Sequence, residues 1–351
     1  MTDVTDQWAL APPHTAREAP YVATPDPAAA ALVALDAPVR NLQMLELQIS
    51  GGATEIYLAH RAPAGQDGSF DALPGRRDGD PTQVSNRRLL KEIITQAHAA
   101  GLRVHLGADA PAVPAGARAA FLAHVEQGVE AGADTVVVGA LPTARWVADA
   151  WPEVPLVAGA ALGVTTVAYA RHLQSAYGVR RVVLPHAATL DEIAAFCAVD
   201  GLEVEVPVQT GSGADCHHCR LPDQSGSGLG CRAGYQEQVS IGPGPDDLGG
   251  FLDGFLDGAS DCALCDVPSL VALGVAALQI PGRESPIVRQ NAKVTQMYRR
   301  ALDGVAKGWS TKQTVADIDR TELTWQMGWV PRMCEQERCR FRDTAARRAH
   351  V

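Results

Sequence analysis

The chain has 351 residues, 46% hydrophobic and 20% charged, a balance that suits a globular protein with a large core and excludes a disordered or fibrous one. The net charge of −10 argues against a broad surface for nucleic acid or anionic lipid, which is built from clustered Lys and Arg. No apolar run reaches the roughly 20 residues that span a bilayer, and the start "MTDVTDQWALAPPHTAREAP" lacks the basic and apolar regions of a secretory signal. The expectation is a cytoplasmic protein whose thiols stay reduced.

Residues 1–30 are rich in Pro, Ala and Thr without periodicity and read as a disordered arm. Helix-like and strand-like segments then alternate. "NLQMLELQISGG" has helical spacing, and "TEIYLAH" reads as a buried strand. "NRRLLKEIITQAHAAG" precedes "LRVHLGAD", "RAAFLAHVEQGVEAGA" precedes "DTVVVGA", and "TARWVADAWP" precedes "VPLVAGAAL". "TTVAYARHLQSAYG" leads into "VRRVVLPH", and "LDEIAAFCAVDG" into "LEVEVPVQ". Such continuous apolar strands, each with a helix, imply a parallel sheet covered on both faces. About six β/α units without a G-x-G-x-x-G turn favour an α/β (β/α) barrel, TIM-like, over an open dinucleotide-binding sheet. The domain reading is an arm over 1–30, the barrel over 31–308 and a C-terminal helical extension or tail over 309–351.

The regularity breaks at "GADCHHCRLPDQSGSGLGC" and resumes at "CALCDVPSLVALGVAALQIPGR", a helix running into a strand, and the long amphipathic helix "SPIVRQNAKVTQMYRRALDGVAKG". The break follows the strand "LEVEVPVQ" directly, which assigns it to the C-terminal face of the barrel, where barrel chemistry gathers. Five of the eight cysteines, Cys216, Cys219, Cys231, Cys262 and Cys265, fall in this region and include two C-x-x-C pairs. In a reduced chain that pattern points to metal or cluster binding. Four thiolates suit structural Zn, but the gap between Cys219 and Cys262 is long for a zinc ribbon and Cys231 is left over. A 4Fe–4S cluster tolerates wider spacing, so residue spacing alone leaves both open. His217 and His218 read as polar neighbours of the metal site, and Cys197 as a core residue of its helix. Cys334 and Cys339, with no further cysteine near them in sequence, read as exposed or tail cysteines, with a local redox pair or a part in a second site as the alternatives.

These segments resemble peptidase family U32. "CALCDVPSLVALGVAALQIPGR" is similar to the family's cysteine-led "L…GV…LKIEGR" segment, and "MYRRALD" to the "YR-x-A-x-D" that follows it, giving Tyr298, Arg299 and Asp303. "GGATEIYLA", "AHAAGLRVHL", "GVRRVVLPHAATLDEI" and "EVPVQTGSGADC" resemble its upstream motifs, so the likeness runs over roughly residues 37–305. The resemblance implies a barrel whose four cysteines, here Cys216, Cys219, Cys231 and Cys262, hold a 4Fe–4S cluster, with Cys265 a fifth candidate. It further implies a part in oxygen-independent hydroxylation of a quinone precursor or of RNA. The family's Lys and Glu in "KIEGR" are Gln279 and Pro281 here, and its "SREL" reads "PHAA", with His186 in place of a charged pair. Those departures point to a different, small-molecule substrate, or to a cluster-bearing subunit that pairs with a related U32-type chain or with a second copy of itself.

Arg283 follows a buried strand where a guanidinium would clamp an anion. Glu205 lies within a strand and, if it faces inward, needs a partner or a raised pKa. His186 ends a strand at the same face. These three are the candidate catalytic residues. A literal peptidase finds no nucleophile and base apart from the cysteines, and P-loop, H-E-x-x-H and G-x-S-x-G motifs are absent.

Overall fold

The structure is a computed structural model that describes residues 25–61, 70, 82–186, 188–210, 261–283, 288–323, 325–334 and 339–341. Eight parallel strands close into a barrel: β1 (Ala34–Pro38), β2 (Glu55–Leu58), β3 (Arg103–Ala108), β4 (Thr135–Val138), β5 (Leu156–Ala158), β6 (Val179–Val183), β7 (Glu203–Pro207) and β10 (Ala277–Gln279). The last of these pairs with both β7 and β1 and completes the ring. Between β7 and β10 the chain leaves the ring, and a short antiparallel pair, β8 (Gln209–Thr210) with β9 (Asp261–Cys262), forms outside it. The barrel agrees with the expectation from the alternating pattern.

The helices start where the sequence supplies caps. Asn41 accepts the Met44 N–H at 2.8 Å to begin α2 (Leu42–Ser50), and Asn86 accepts that of Leu89 at 2.9 Å to begin α3 (Arg87–Ala99). A capping box between Thr189 and Glu192 begins α7 (Leu190–Cys197). Between α3 and α7 come α4 (Arg118–Ala131), α5 (Leu141–Ala150) and α6 (Val167–Tyr177), and before α2 a four-residue turn, α1 (Pro27–Ala30). Of the expected arm, residues 1–24 lie outside the described residues.

After β9 come α8 (Val267–Ala272), the long α9 (Val288–Ala306) and α10 (Thr311–Thr321), then a π-helical stretch, Trp325–Cys334, with Pro331 inside it. Helix α9 buries Ala292, Val294, Met297, Tyr298, Ala301, Leu302 and Val305, the i, i+3, i+4 stripe of an amphipathic helix. Gln48 of α2 is fixed to it through Asn291 and through Thr295 Oγ1, which donates to Gln48 Oε1 at 2.6 Å. Asn291 also donates to the Pro281 carbonyl at 2.8 Å, joining α9 to the end of β10.

The N-terminal half of the barrel lumen is filled by charge. Arg181 of β6 donates in a bidentate pair to Glu55 of β2, on the opposite side of the ring, and to Glu205 of β7 at 3.1 Å. His105 Nε2 lies 3.0 Å from Glu55 Oε2, and Nδ1 lies 2.6 Å from Thr135 Oγ1. Arg103 and Glu203, with side chains 51% and 45% exposed at the N-terminal rim, pair with Glu55 and Arg181. Burial works against the ionised Glu55, but hydrogen bonds from His105 and Arg181 outweigh it and hold the carboxyl well below the usual range. Burial and the charges of Glu205 and Glu55 push the Asp36 carboxyl well up, and a side-chain hydrogen bond with Glu205 adds to the shift. This end of a barrel serves stability rather than chemistry.

Candidate functional site

At the opposite end glycines stand at or just past the ends of three strands: Gly107 within β3, Gly139 after β4 and Gly159 after β5. A Cβ at Gly139 would lie 1.9 Å from the Asp109 carbonyl oxygen, and one at Gly159 2.9 Å from Val137 Cγ1, so only glycine lets the β3, β4 and β5 ends pack this closely. A Cβ at Gly107 would lie 3.5 Å from Arg283 Nη1, which locates the Arg283 guanidinium over the end of the lumen, across from its own strand. Arg283 is buried, and its carbonyl accepts from Arg40 Nη1 at 2.7 Å, so two arginines meet just past β1 and β10. Half-buried Tyr57, Val137 and Gln279 line the lumen below them. Tyr57 OH donates to the Ile280 carbonyl at 3.1 Å.

The cysteines stand beside this mouth. Val208, just past β7, donates to the Gln279 carbonyl at 3.0 Å and accepts from Ala263 N–H at 3.1 Å, which sets β9 against the rim. Cys262 is buried, and its Sγ lies 3.4 Å from the Leu264 N–H and 3.4 Å from the Trp329 indole N–H. Tyr298 OH is 3.9 Å from the same sulfur, but its one proton goes to the Val208 carbonyl at 2.6 Å. Burial pushes the Cys262 thiol up to about 11 against the pull of these donors. Cys265, on the 3-10 turn Leu264–Asp266, is buried too, and burial together with the neighbouring charges of Cys262 and Asp266 raises it further.

The C-terminal segment closes the other side. Cys339 forms a β-bridge with Cys262, and Arg340 N–H donates to the Cys262 carbonyl at 3.1 Å. Arg340 Nη2 reaches the Pro185 carbonyl at 3.4 Å, next to His186, at the end of β6. Cys334 ends the π-helical stretch and packs on the core, as does Trp329. The tail cysteines of the sequence reading are therefore neighbours of the C-x-x-C motif.

The structure thus separates the predicted residues. Arg283, His186, Cys262 and Cys265 are all at the C-terminal face, whereas Glu205 points into the ion network, paired with Arg181 and with Gln279 Nε2. Cys216, Cys219, Cys231, His217 and His218 lie outside the described residues. Sequence reasoning missed Arg40, Trp329 and the network of Asp36, Glu55, His105 and Arg181. The charged Arg181, Glu203 and Glu205, two apart or cross-strand in otherwise apolar strands, were the available signal. Soft thiol donors with N–H groups aimed at sulfur suit a thiophilic centre. Even so, among the described residues no three His, Cys, Asp or Glu are gathered to hold a metal ion. No helix among them is long and apolar enough to cross a membrane.

A family model described as peptidase family U32 matches residues 40–329. No curated protein matches the sequence. Among solved structures, the U32 peptidase Mk0906 is 16% identical, with 50% of this chain and 68% of that chain covered at a TM-score of 0.39. A dihydrodipicolinate synthase is 10% identical, with 85% of each chain covered at a TM-score of 0.43. The YdjI aldolase from Escherichia coli is 11% identical, with 82% of this chain and 90% of that chain covered at a TM-score of 0.40.

Proposed function

The chain belongs to peptidase family U32, and on that premise we propose that it carries a 4Fe–4S cluster at the C-terminal mouth of its barrel and serves oxygen-independent hydroxylation, or a related redox step, on a small-molecule substrate. The observation that supports this reading is the setting of Cys262, a buried thiol at the barrel rim with the Leu264 and Trp329 N–H groups at its sulfur. Such donors offset thiolate charge and tune a cluster bound there. The resemblance adds Cys216, Cys219 and Cys231 as further ligands. Held by four thiolates, a cluster of this kind supplies electron transfer. Arg283, buried over the lumen with Arg40 on its backbone, is the side chain we assign to an anionic group of the substrate.

One observation favours a second reading, a cluster-bearing subunit that works with a related chain or a second copy. Where the family has Lys and Glu, this chain has Gln279, whose amide is spent on Glu205, and Pro281. Neither can move a proton at the mouth.

Anaerobic purification with iron, sulfide and zinc analysis, visible absorption and EPR after reduction tests the proposal. About four irons and four sulfides per chain support it. One zinc without sulfide makes the centre a structural clip and removes the redox reading.

A further inference from the structure

Charged side chains take up the room that glycines leave at the C-terminal end of the lumen. Side chains alternate along β3, and His105 points inward to Glu55 and Arg181. Carried one residue past the strand, the same alternation turns Gly107 and Asp109 towards the lumen. A Cβ at Gly107 would lie 3.5 Å from Arg283 Nη1, and one at Gly159 would lie 3.3 Å from Asp109 Cβ and 2.9 Å from Val137 Cγ1. The guanidinium therefore stands over Gly107. The Asp109 carboxylate, a single methylene from its backbone, stands by Gly159 and Val137. Two residues of extended chain, the step from Gly107 to Asp109, cover roughly 6.6 Å, so this cation and this anion are spaced for the two ends of one small molecule. Asp109 is half-buried and held from both sides. A Cβ at Gly139 would come within 1.9 Å of its carbonyl oxygen, and the next N–H, that of Ala110, donates to the Phe70 carbonyl at 3.0 Å. A backbone fixed in this way presents its side chain in one place, which is what recognition of a ligand needs.

We propose that Asp109 is the second anchor of the mouth: with an anionic group on Arg283, it takes an ammonium group of the same molecule, so that the ligand is a small zwitterion, an amino acid or another amine-bearing acid. The inference rests on the assignment of Arg283 to an anionic group of the substrate, and narrows it. A ligand with a second anionic group would set like charge against Asp109, and an amine without an acid would leave the guanidinium unmatched. Half-buried Val137 and Tyr57 give the remainder of the molecule a wall of mostly apolar surface.

The test uses the full chain as purified anaerobically. The standard L-amino acids are screened at millimolar concentration by thermal shift, and the best is titrated by calorimetry beside its deaminated acid and its decarboxylated amine. The amino acid should bind about tenfold or more tighter than either analogue, the worth of a charge-assisted hydrogen bond. That comparison needs no substitution. Asp109→Asn, close in size, should erase the preference over the deaminated acid without weakening that acid, and Arg283→Gln should weaken both acids alike. A deaminated acid that binds as tightly as the amino acid, with both lost in Arg283→Gln, sinks this inference and leaves the role of Arg283 standing. A preference that survives Asp109→Asn also overturns it. Acids that bind undiminished to Arg283→Gln end both. If no amino acid binds, the inference is overturned, and metal analysis still decides the proposed function separately.

Discussion

Cys339 lies in register with Cys262 across a β-bridge, and the Arg340 N–H closes on the Cys262 carbonyl at 3.1 Å. Cys339 and Arg340 are therefore built into the wall of the cysteine site, and Trp329, earlier in the C-terminal region, supplies a donor to its sulfur.

Replacing Trp329 by Phe keeps an aromatic body and removes the N–H at Cys262. In cluster-loaded protein the iron content should hold while the reduction potential becomes more negative, because a hydrogen bond to sulfur favours the more electron-rich state. A spectroelectrochemical titration reads this directly, and an unchanged potential would mean that the indole only packs.

Arg181 answers Glu55, Glu203 and Glu205 at once. Arg181→Met leaves buried carboxylates without their cation and should cost about 3–5 kcal/mol in urea unfolding. Adding Glu205→Gln should recover part of that loss, since it removes one of the stranded charges. A double variant no more stable than the single one speaks against a shared network.

Asp36 and Glu55 pull the pH dependence in opposite directions. Glu55, depressed in the fold, gives stability present above its unfolded pKa and lost as the pH falls through the folded one. Asp36, raised in the fold, gives stability present below its unfolded pKa and lost as the pH rises through the folded one. Asp36→Asn keeps a donor for Glu205 without that loss. The melting temperature of the variant relative to wild type should climb from pH 4 to pH 8, and a flat difference across that range refutes the upward shift of Asp36.

Gly139→Ala puts a methyl 1.9 Å from the Asp109 carbonyl oxygen, a backbone atom with little freedom to retreat. A destabilisation of about 3 kcal/mol is expected by chemical denaturation. Gly101→Ala is no neutral control, because its φ of +78° is strained for any Cβ although nothing lies near it. Gly116, which has open space and no positive φ, is the proper comparison.

The strand–helix alternation made most of the barrel readable, because each buried parallel strand leaves an apolar run and each helix an amphipathic one. Strand β1 escaped notice: its five residues, Ala34–Pro38, carry Asp36 and Pro38, which argue against a strand unless the neighbouring strands are known. The C-x-x-C at Cys262 announced itself, whereas the place of Cys334 and Cys339 depends on a bridge between segments far apart in sequence. Glu205 was noticed as a polar residue in a strand, but its use was decided by Arg181 on β6, a cross-strand fact that a linear reading does not contain.

The two ends of the excursion between β7 and β10 are pinned side by side: Val208 holds the Gln279 carbonyl with its N–H and the Ala263 N–H with its carbonyl. The ring therefore does not depend on how much chain lies between Thr210 and Asp261. The β7–β10 closure of the ring is thus made by the residues at the two ends of the excursion themselves, and the barrel and the cysteine pair at its rim share the same three-residue clasp of Val208, Ala263 and Gln279.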